Sequence, residues 1–487
     1  MQPQNLRFGG GVSETILHPL VLVAMLLAIL LIWFLPRKYI IVPVLSMFFL
    51  VPLGQQVLIG GLHFFTSRII ILVVAMRMLV TVFSSAEGVF GGRMDILDKV
   101  FILWALFRAL AGILTFMQSG ALIYQMGFLL DAIGGYFILR HLIHDDEDIL
   151  RTIRVLAVIA FLLAGSMLYE KLTVANLFAS LGGVRTTPEV REGLVRATGP
   201  FQHEILAGVF GATVLPMFFL LWKSGQSRIL AMVGALGATV MTATSASSTP
   251  ILAYAAAILA ISFWPLRRRM RLVRWGIVGA VVALHLVMKA PVWFVIQHLN
   301  ILGGSSGYHR AMLVNDFILH FGDWWLIGTK ENHTWGFNMW DLCNQFVAEG
   351  EVGGLATFAC FLALIVICFS KLGRARKAVE GHQGEEWYFW LMGSALFAHM
   401  IAYCGVSYFD QTRFLWFVLL ATIVTATAPY LVRVPAPRPA PVAPGALLPS
   451  YAPPARSRFA RPSPRSSPGL ATRTLRRTAR PQNIFSR

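Results

Sequence analysis

Apolar residues in this chain come in long, nearly unbroken runs, and no other feature narrows its folding options as far. The runs fall near 16–34, 39–53, 69–83, 100–117, 121–139, 155–168, 205–222, 229–244, 251–264, 275–292, 355–369, 387–403 and 414–431. A helix needs about 20 apolar residues to cross the hydrocarbon of a bilayer, and these runs reach or approach that length. Lipid offers no water to unpaired backbone groups, so helices are the expected spanning element. A barrel would show short alternating segments instead. Only 13% of the 487 residues are charged, half of what a soluble domain carries. The expected fold is therefore an all-α polytopic membrane protein of about 12–13 transmembrane helices. A polar segment, 1–15, precedes a helical domain, 16–431, and an Arg/Pro-rich tail, 432–487, follows.

The net charge of +18 raises the question of a nucleic-acid partner, and its distribution answers no. Eleven arginines and no acidic residue lie between 432 and 487. The tail's Pro-rich, low-complexity sequence cannot bury a core and is expected to be disordered beside anionic lipid headgroups. The other basic clusters sit in short connectors: Arg37 with Lys38, 223–228, Arg267 to Arg274, and 371–377. The positive-inside rule assigns them to the cytoplasm. Counting spans back from the tail then puts the segments 171–202, 245–250 and 294–354 on the opposite face. The first fifteen residues are polar, so the run after them is expected to be a retained span and not a cleaved signal. Four cysteines without CxxC or Cys/His spacing predict neither a disulfide framework nor a zinc site.

The longest interruption, 294–354, is too rich in chemistry for a connector. Between 300 and 355 it holds nine glycines, five tryptophans or tyrosines, and a dozen polar side chains that include His309, Arg310, His333, Asp341 and Asn344. Loops of such length are usually functional or disordered, and the aromatic content argues against disorder. A second outer-face element, Arg196 with His203 and Glu204, stands at the entrance to the 205–222 run. An arginine presents a planar fork of donors that stays charged, which suits a phosphate or diphosphate; the bland alternative is snorkelling to headgroups. Within spans, Arg108 and Asp131 are costly in lipid unless they pair, and an Arg108–Asp131 ion pair is expected. Asp410 and Arg413 stand at the shoulder of the last span, where they would close a cavity wall.

The stretch Arg196-Ala-Thr-Gly-Pro-Phe-Gln-His203 resembles the R-x-x-G-x-F-x-H pattern of the O-antigen ligase and O-antigen polymerase superfamily. So do the hydroxyl-rich residues Thr242 to Pro250 and the Glu349-Gly-Glu-Val-Gly-Gly-Leu355 ending of the large loop. That resemblance implies a GT-C-like membrane glycosyltransferase with a large periplasmic loop in a bacterial inner membrane. It would polymerise or ligate a polyprenyl-diphosphate-linked oligosaccharide onto a glycan or lipid acceptor, inverting the anomeric centre without metal or cofactor. Arg196 and Arg310 match the arginines that grip the donor diphosphate. His203, Glu204, His309 and Asn344 would complete the binding site. The family's His-Asn pair falls here on Met339 and Trp340, or on Trp340 and Asp341 one residue along, so the proposed base is missing. Asp341 and His333 are the nearest candidates. The competing reading is a transporter or flippase for lipid-linked glycans, and a further one is a scaffold in polysaccharide-export machinery. Transporters tend to show internal repeats and binding residues at mid-span, and neither is evident here.

Overall fold

The computed structural model describes residues 15–84, 94–298 and 307–431. The tail, nearly all of the N-terminal segment and residues 299–306 of the large loop lie outside them, so the expectations placed there meet no structural observation. What is described is overwhelmingly helical.

Helix α1 (Pro19–Phe34) begins at a His18 cap and leads to α2 (Ile41–Leu50). A hairpin of β1 (Gln56–Ile59) and β2 (Leu62–Phe65) precedes α3 (Thr66–Ser84). Helix α4 (Ile96–Phe116) starts from a reciprocal Asp95–Asp98 capping box. Helices α5 (Ser119–Leu129) and α6 (Gly135–Leu142) run on through a π-helical turn, Leu130–Gly134. Helix α7 (Asp146–Thr173) opens on three acidic residues that suit the positive end of its dipole. A second hairpin, β3 (Glu189–Arg191) with β4 (Leu194–Arg196), comes before α8 (Glu204–Lys223), α9 (Arg228–Thr244), α10 (Ser248–Ser262) and α11 (Met270–Val287). The stretch from 307 contains α12 (Gly307–Leu319) and the short α13 (Phe321–Trp324), after which α14 (Gln345–Ala378), α15 (Gln383–Tyr403) and α16 (Thr412–Leu431) complete the described residues.

Seven helices among the described residues are long and apolar enough to cross a membrane. They include α5–α6 as one unit, and α7 and α14, which run well beyond their apolar cores. Helix α2 has ten residues and at about 1.5 Å per residue cannot cross the hydrocarbon alone. Helices α8 and α16 are buried over most of their length and form the centre, whereas α11 buries no residue. Close approach depends on small residues, as lipid-embedded helices require: a Cβ added at Gly237 of α9 would meet the Ala160 backbone of α7 at 2.8 Å.

The bundle has two chemically different ends. At one, the basic connectors are tied together: Arg37 with Asp148 (3.0 Å), Arg267 with Glu386 (2.9 Å), Arg376 with Glu386 (3.4 Å), and the Tyr388 hydroxyl donating to Asp146 (2.7 Å). At the other, Gln411 Nε2 donates to the carbonyls of Val51 and Pro200, and Gln55 Nε2 to those of Leu181 and Gly182. Both hairpins, the α9–α10 turn and the large-loop residues gather there.

The expected Arg108–Asp131 pair needs correction. Asp131, buried in the π-turn, pairs with Arg68 of α3 through both oxygens, at 3.0 and 2.8 Å, and not with Arg108. Arg108 instead reaches Glu349 at 2.9 Å. That carboxylate is fully buried and also accepts from Trp104 Nε1 (2.8 Å) and Gln345 Nε2 (2.6 Å). The stretch from 307 to 344 is folded. Its short helices enclose a small core of Leu313, Phe317, Trp324, Met339 and Val347, with Phe317 stacked on Trp324.

Candidate functional site

At the end away from the basic connectors, six separate segments enclose a cavity of about 350 Å³. Its walls come from the β3–β4 hairpin, the start of α8, the α9–α10 turn with Ser247, Ser248 and Thr249, Arg310 with the 341–343 stretch, and the segment 405–409. The chain reaches this arrangement through ordinary local rules. Gly193 holds φ +72° at the hairpin tip, and Ala197 N donates to Thr244 O, fastening β4 beside the α9–α10 turn.

Arg196 ends β4 with 5% of its surface exposed. Its Nη1 lies 3.0 Å from Glu189 Oε1 and 2.7 Å from Glu204 Oε1, and its Nη2 donates to Ser247 Oγ at 2.6 Å. The Glu204 contact is an ion pair without hydrogen-bond alignment, since Oε1 has no hydrogen-bonding partner, and the buried Arg196 Nε has none either. Arg310, 9% exposed, donates from Nε to the Gly405 carbonyl at 3.2 Å, and Cys343 lines the same cavity. Burial presses its pKa below the usual arginine value; nearby Cys343 and Asp341 oppose that and Arg191 reinforces it. Burial likewise pushes the Cys343 thiol up to about 11, against the pull of Arg310.

The two arginines thus share one cavity, but it is not simply electropositive. Arg191, Arg196 and Arg310 line it together with Glu189, Glu192 and Asp341, three charges of each sign, and Glu204 stands behind Arg196. An incoming anion must therefore replace a carboxylate. Glu189 is the replaceable one, because its side chain is 38% exposed on the short hairpin while Glu204 is almost wholly buried.

His203 lines the cavity and caps α8, its Nδ1 accepting from Ile205 N at 3.2 Å; that role leaves the proton on Nε2. Asp341 lines it and is exposed. His309 lies behind, with Nε2 3.2 Å from the Asp341 carbonyl oxygen. Asn344 and Glu204 are supports more than walls: Asn344 Oδ1 caps α14 by accepting from Phe346 and Val347, and its Nδ2 donates to Cys404 O. His333 stands apart, 3.7 Å from exposed Glu331 in a turn that does not line the cavity. Asp410 contributes no wall and is fully buried, accepting from Thr412 and from Gln202 N.

Sequence reasoning missed Glu189, Arg191 and Glu192, the 405–409 wall, and Cys343. The acidic residues just before Arg196 were the only local sign of the first three; nothing near 405–409 announces a wall.

No protein-family model matches the chain, and no curated protein matches it.

Proposed function

We propose that this chain is a membrane glycosyltransferase of the O-antigen ligase or polymerase type, with about 12–13 spans in a bacterial inner membrane and its cavity at the periplasmic face. The observation that carries the reading is the convergence of Arg196 and Arg310 on one cavity, at the bundle end opposite the basic connectors. Its volume is near the lower end of the roughly 300–1,000 Å³ range of ligand pockets, room for a diphosphate and its neighbouring sugar.

In this reading the polyprenyl diphosphate displaces Glu189 from Arg196 and lies between the two guanidinium groups, with the Ser247, Ser248 and Thr249 hydroxyls beside it. An acceptor hydroxyl attacks the anomeric carbon from the face opposite the diphosphate and inverts it. The negative charge gathering on the departing diphosphate is met by donors already in position, the largest single contribution in most such sites. Asp341 takes the hydroxyl proton, a contribution of about 10²–10⁴ in rate. The polar side chains gather at one end of the bundle and not at mid-span, where transporters bind their cargo, and this favours transfer over export.

The test is incubation of purified protein with a polyprenyl-diphosphate oligosaccharide, scoring longer chains against transfer to a lipid A-type acceptor. Arg310→Ala and Arg196→Ala are expected to abolish product. If both variants melt like the parent protein and keep full activity, the proposal fails. In cells, repeat units that accumulate on the outer leaflet of a deletion strain agree with a transferase, and accumulation on the inner leaflet indicates a flippase.

A further inference from the structure

We propose that His309, Asp341 and Cys343 form a binding site for a zinc-like divalent cation at the wall of the cavity. One nitrogen, one carboxylate oxygen and one sulfur from these residues all lie within 4.8 Å of one another. Zinc bonds of about 2.0–2.3 Å imply tetrahedral donors roughly 3.3–3.8 Å apart, so side-chain adjustments of about 1 Å complete the site.

The backbone already holds the three in place. Asp341 N donates to Asn338 O at 3.1 Å, with Asn338 at φ +64°, and Cys343 N donates to Asp341 O at 2.8 Å. That tight turn brings the side chains of Asp341 and Cys343 together. His309 comes from α12 on the facing side, its ring tied to the same Asp341 carbonyl at 3.2 Å. The donor set selects the metal. Calcium and magnesium prefer oxygen ligands throughout, whereas imidazole, carboxylate and thiolate together suit zinc.

Three protein donors leave zinc one open position. Asp341 and Cys343 both line the cavity, so that position is available to water or to an anionic oxygen of whatever the cavity holds. Arg310 beside the site is no obstacle. A thiolate and a carboxylate together balance the two charges of the cation, and the guanidinium is held through Nε by the Gly405 carbonyl. The metal must displace the thiol proton on binding. The inference concerns binding alone and stands whether or not the chain transfers glycans; wherever the cation is bound, Asp341 is its ligand and no longer the proton acceptor. It departs from the metal-free expectation because ligands from 309 and from 341–343 have no recognisable spacing along the chain.

The experiment uses the full chain in detergent, stripped with chelator and given Zn²⁺ or Co²⁺ alone. Retained metal is counted by mass spectrometry after gel filtration, and cobalt–thiolate bonding is read from its charge-transfer absorption. One equivalent is expected. Cys343→Ser should lose the charge-transfer band. His309→Ala and Asp341→Asn should weaken affinity by at least about tenfold, the loss that even outer hydrogen-bond partners of metal ligands produce. A variant counts only if its thermal melt matches the parent protein, and the Cys360→Ser/Cys404→Ser double variant should bind as the parent does. No retained metal, or undiminished binding in folded Cys343→Ser protein, overturns the proposal.

Discussion

Removing Glu349 should be costly although it lies outside the cavity. It has no exposed surface and gathers donors from two helices: Trp104 and Arg108 of α4 and Gln345 of its own helix, at 2.8, 2.9 and 2.6 Å. Gln345 in turn accepts from Tyr408 N at 2.6 Å, which ties this network to the segment whose Gly405 carbonyl holds Arg310. Glu349→Ala strands a guanidinium with 20% of its side chain exposed and two further donors. Breaking a buried ion pair from one side costs about 3–5 kcal/mol, and partial hydration of Arg108 brings the expectation to about 3 kcal/mol. A double variant, Arg108→Met/Glu349→Leu, removes both charges and should recover most of that loss, since apolar replacement of a whole buried pair is often neutral or better. Thermal or denaturant unfolding in detergent, followed by tryptophan fluorescence, measures both. Glu349→Ala within about 1 kcal/mol of the parent, the size of a single ordinary hydrogen bond, would refute the reasoning. So would a double variant less stable than the single one.

Three further expectations follow from the geometry. On the transferase reading, Glu189→Ala frees Arg196 from a half-exposed partner worth about 0.5–1 kcal/mol and should lower the donor KM about two- to fivefold, read in the transfer assay. Gly354 in α14 sits at φ +71° and ψ −176°, and an added Cβ would meet Leu326 O at 2.5 Å. Gly354→Ala should therefore destabilise by at least about 2 kcal/mol, the order of backbone strain in a region open essentially to glycine alone, as measured by a melt. Burial raises the Asp410 carboxyl above its ordinary value. Between its unfolded and folded pKa the native state binds the extra proton, so this group's contribution to stability is greatest below that window and falls as pH rises through it. Melts across the acidic range should show a shallower slope for Asp410→Asn than for the parent; an unchanged slope would count against the assignment.

The helices and the polarity of the bundle were legible in the chain. Each apolar run reports a helix of its own, and arginines in short connectors report their own end, because both signals depend on a residue and its near neighbours. Helix ends were less legible. Helices α7 and α14 continue into charged sequence, where capping and tertiary partners such as Lys371 with Asp95 (2.6 Å) sustain them past the hydrophobic pattern.

The tertiary structure alone decided who meets whom. Arg108 and Asp131 are the most costly charges in their spans, and their apparent match dissolved because a π-turn aims Asp131 at Arg68. Arg196 and Arg310 share a wall only because the 405–409 segment and the α9–α10 turn pack between them. Glu189 neutralises one of them, and Cys343 gains His309 as a neighbour, through folds of backbone that no local pattern encodes. Hydrophobicity is additive along a chain and survives reading one window at a time. Ion pairs and ligand sets depend on distances of a few ångströms between segments far apart in sequence, and those distances exist only once the bundle has closed.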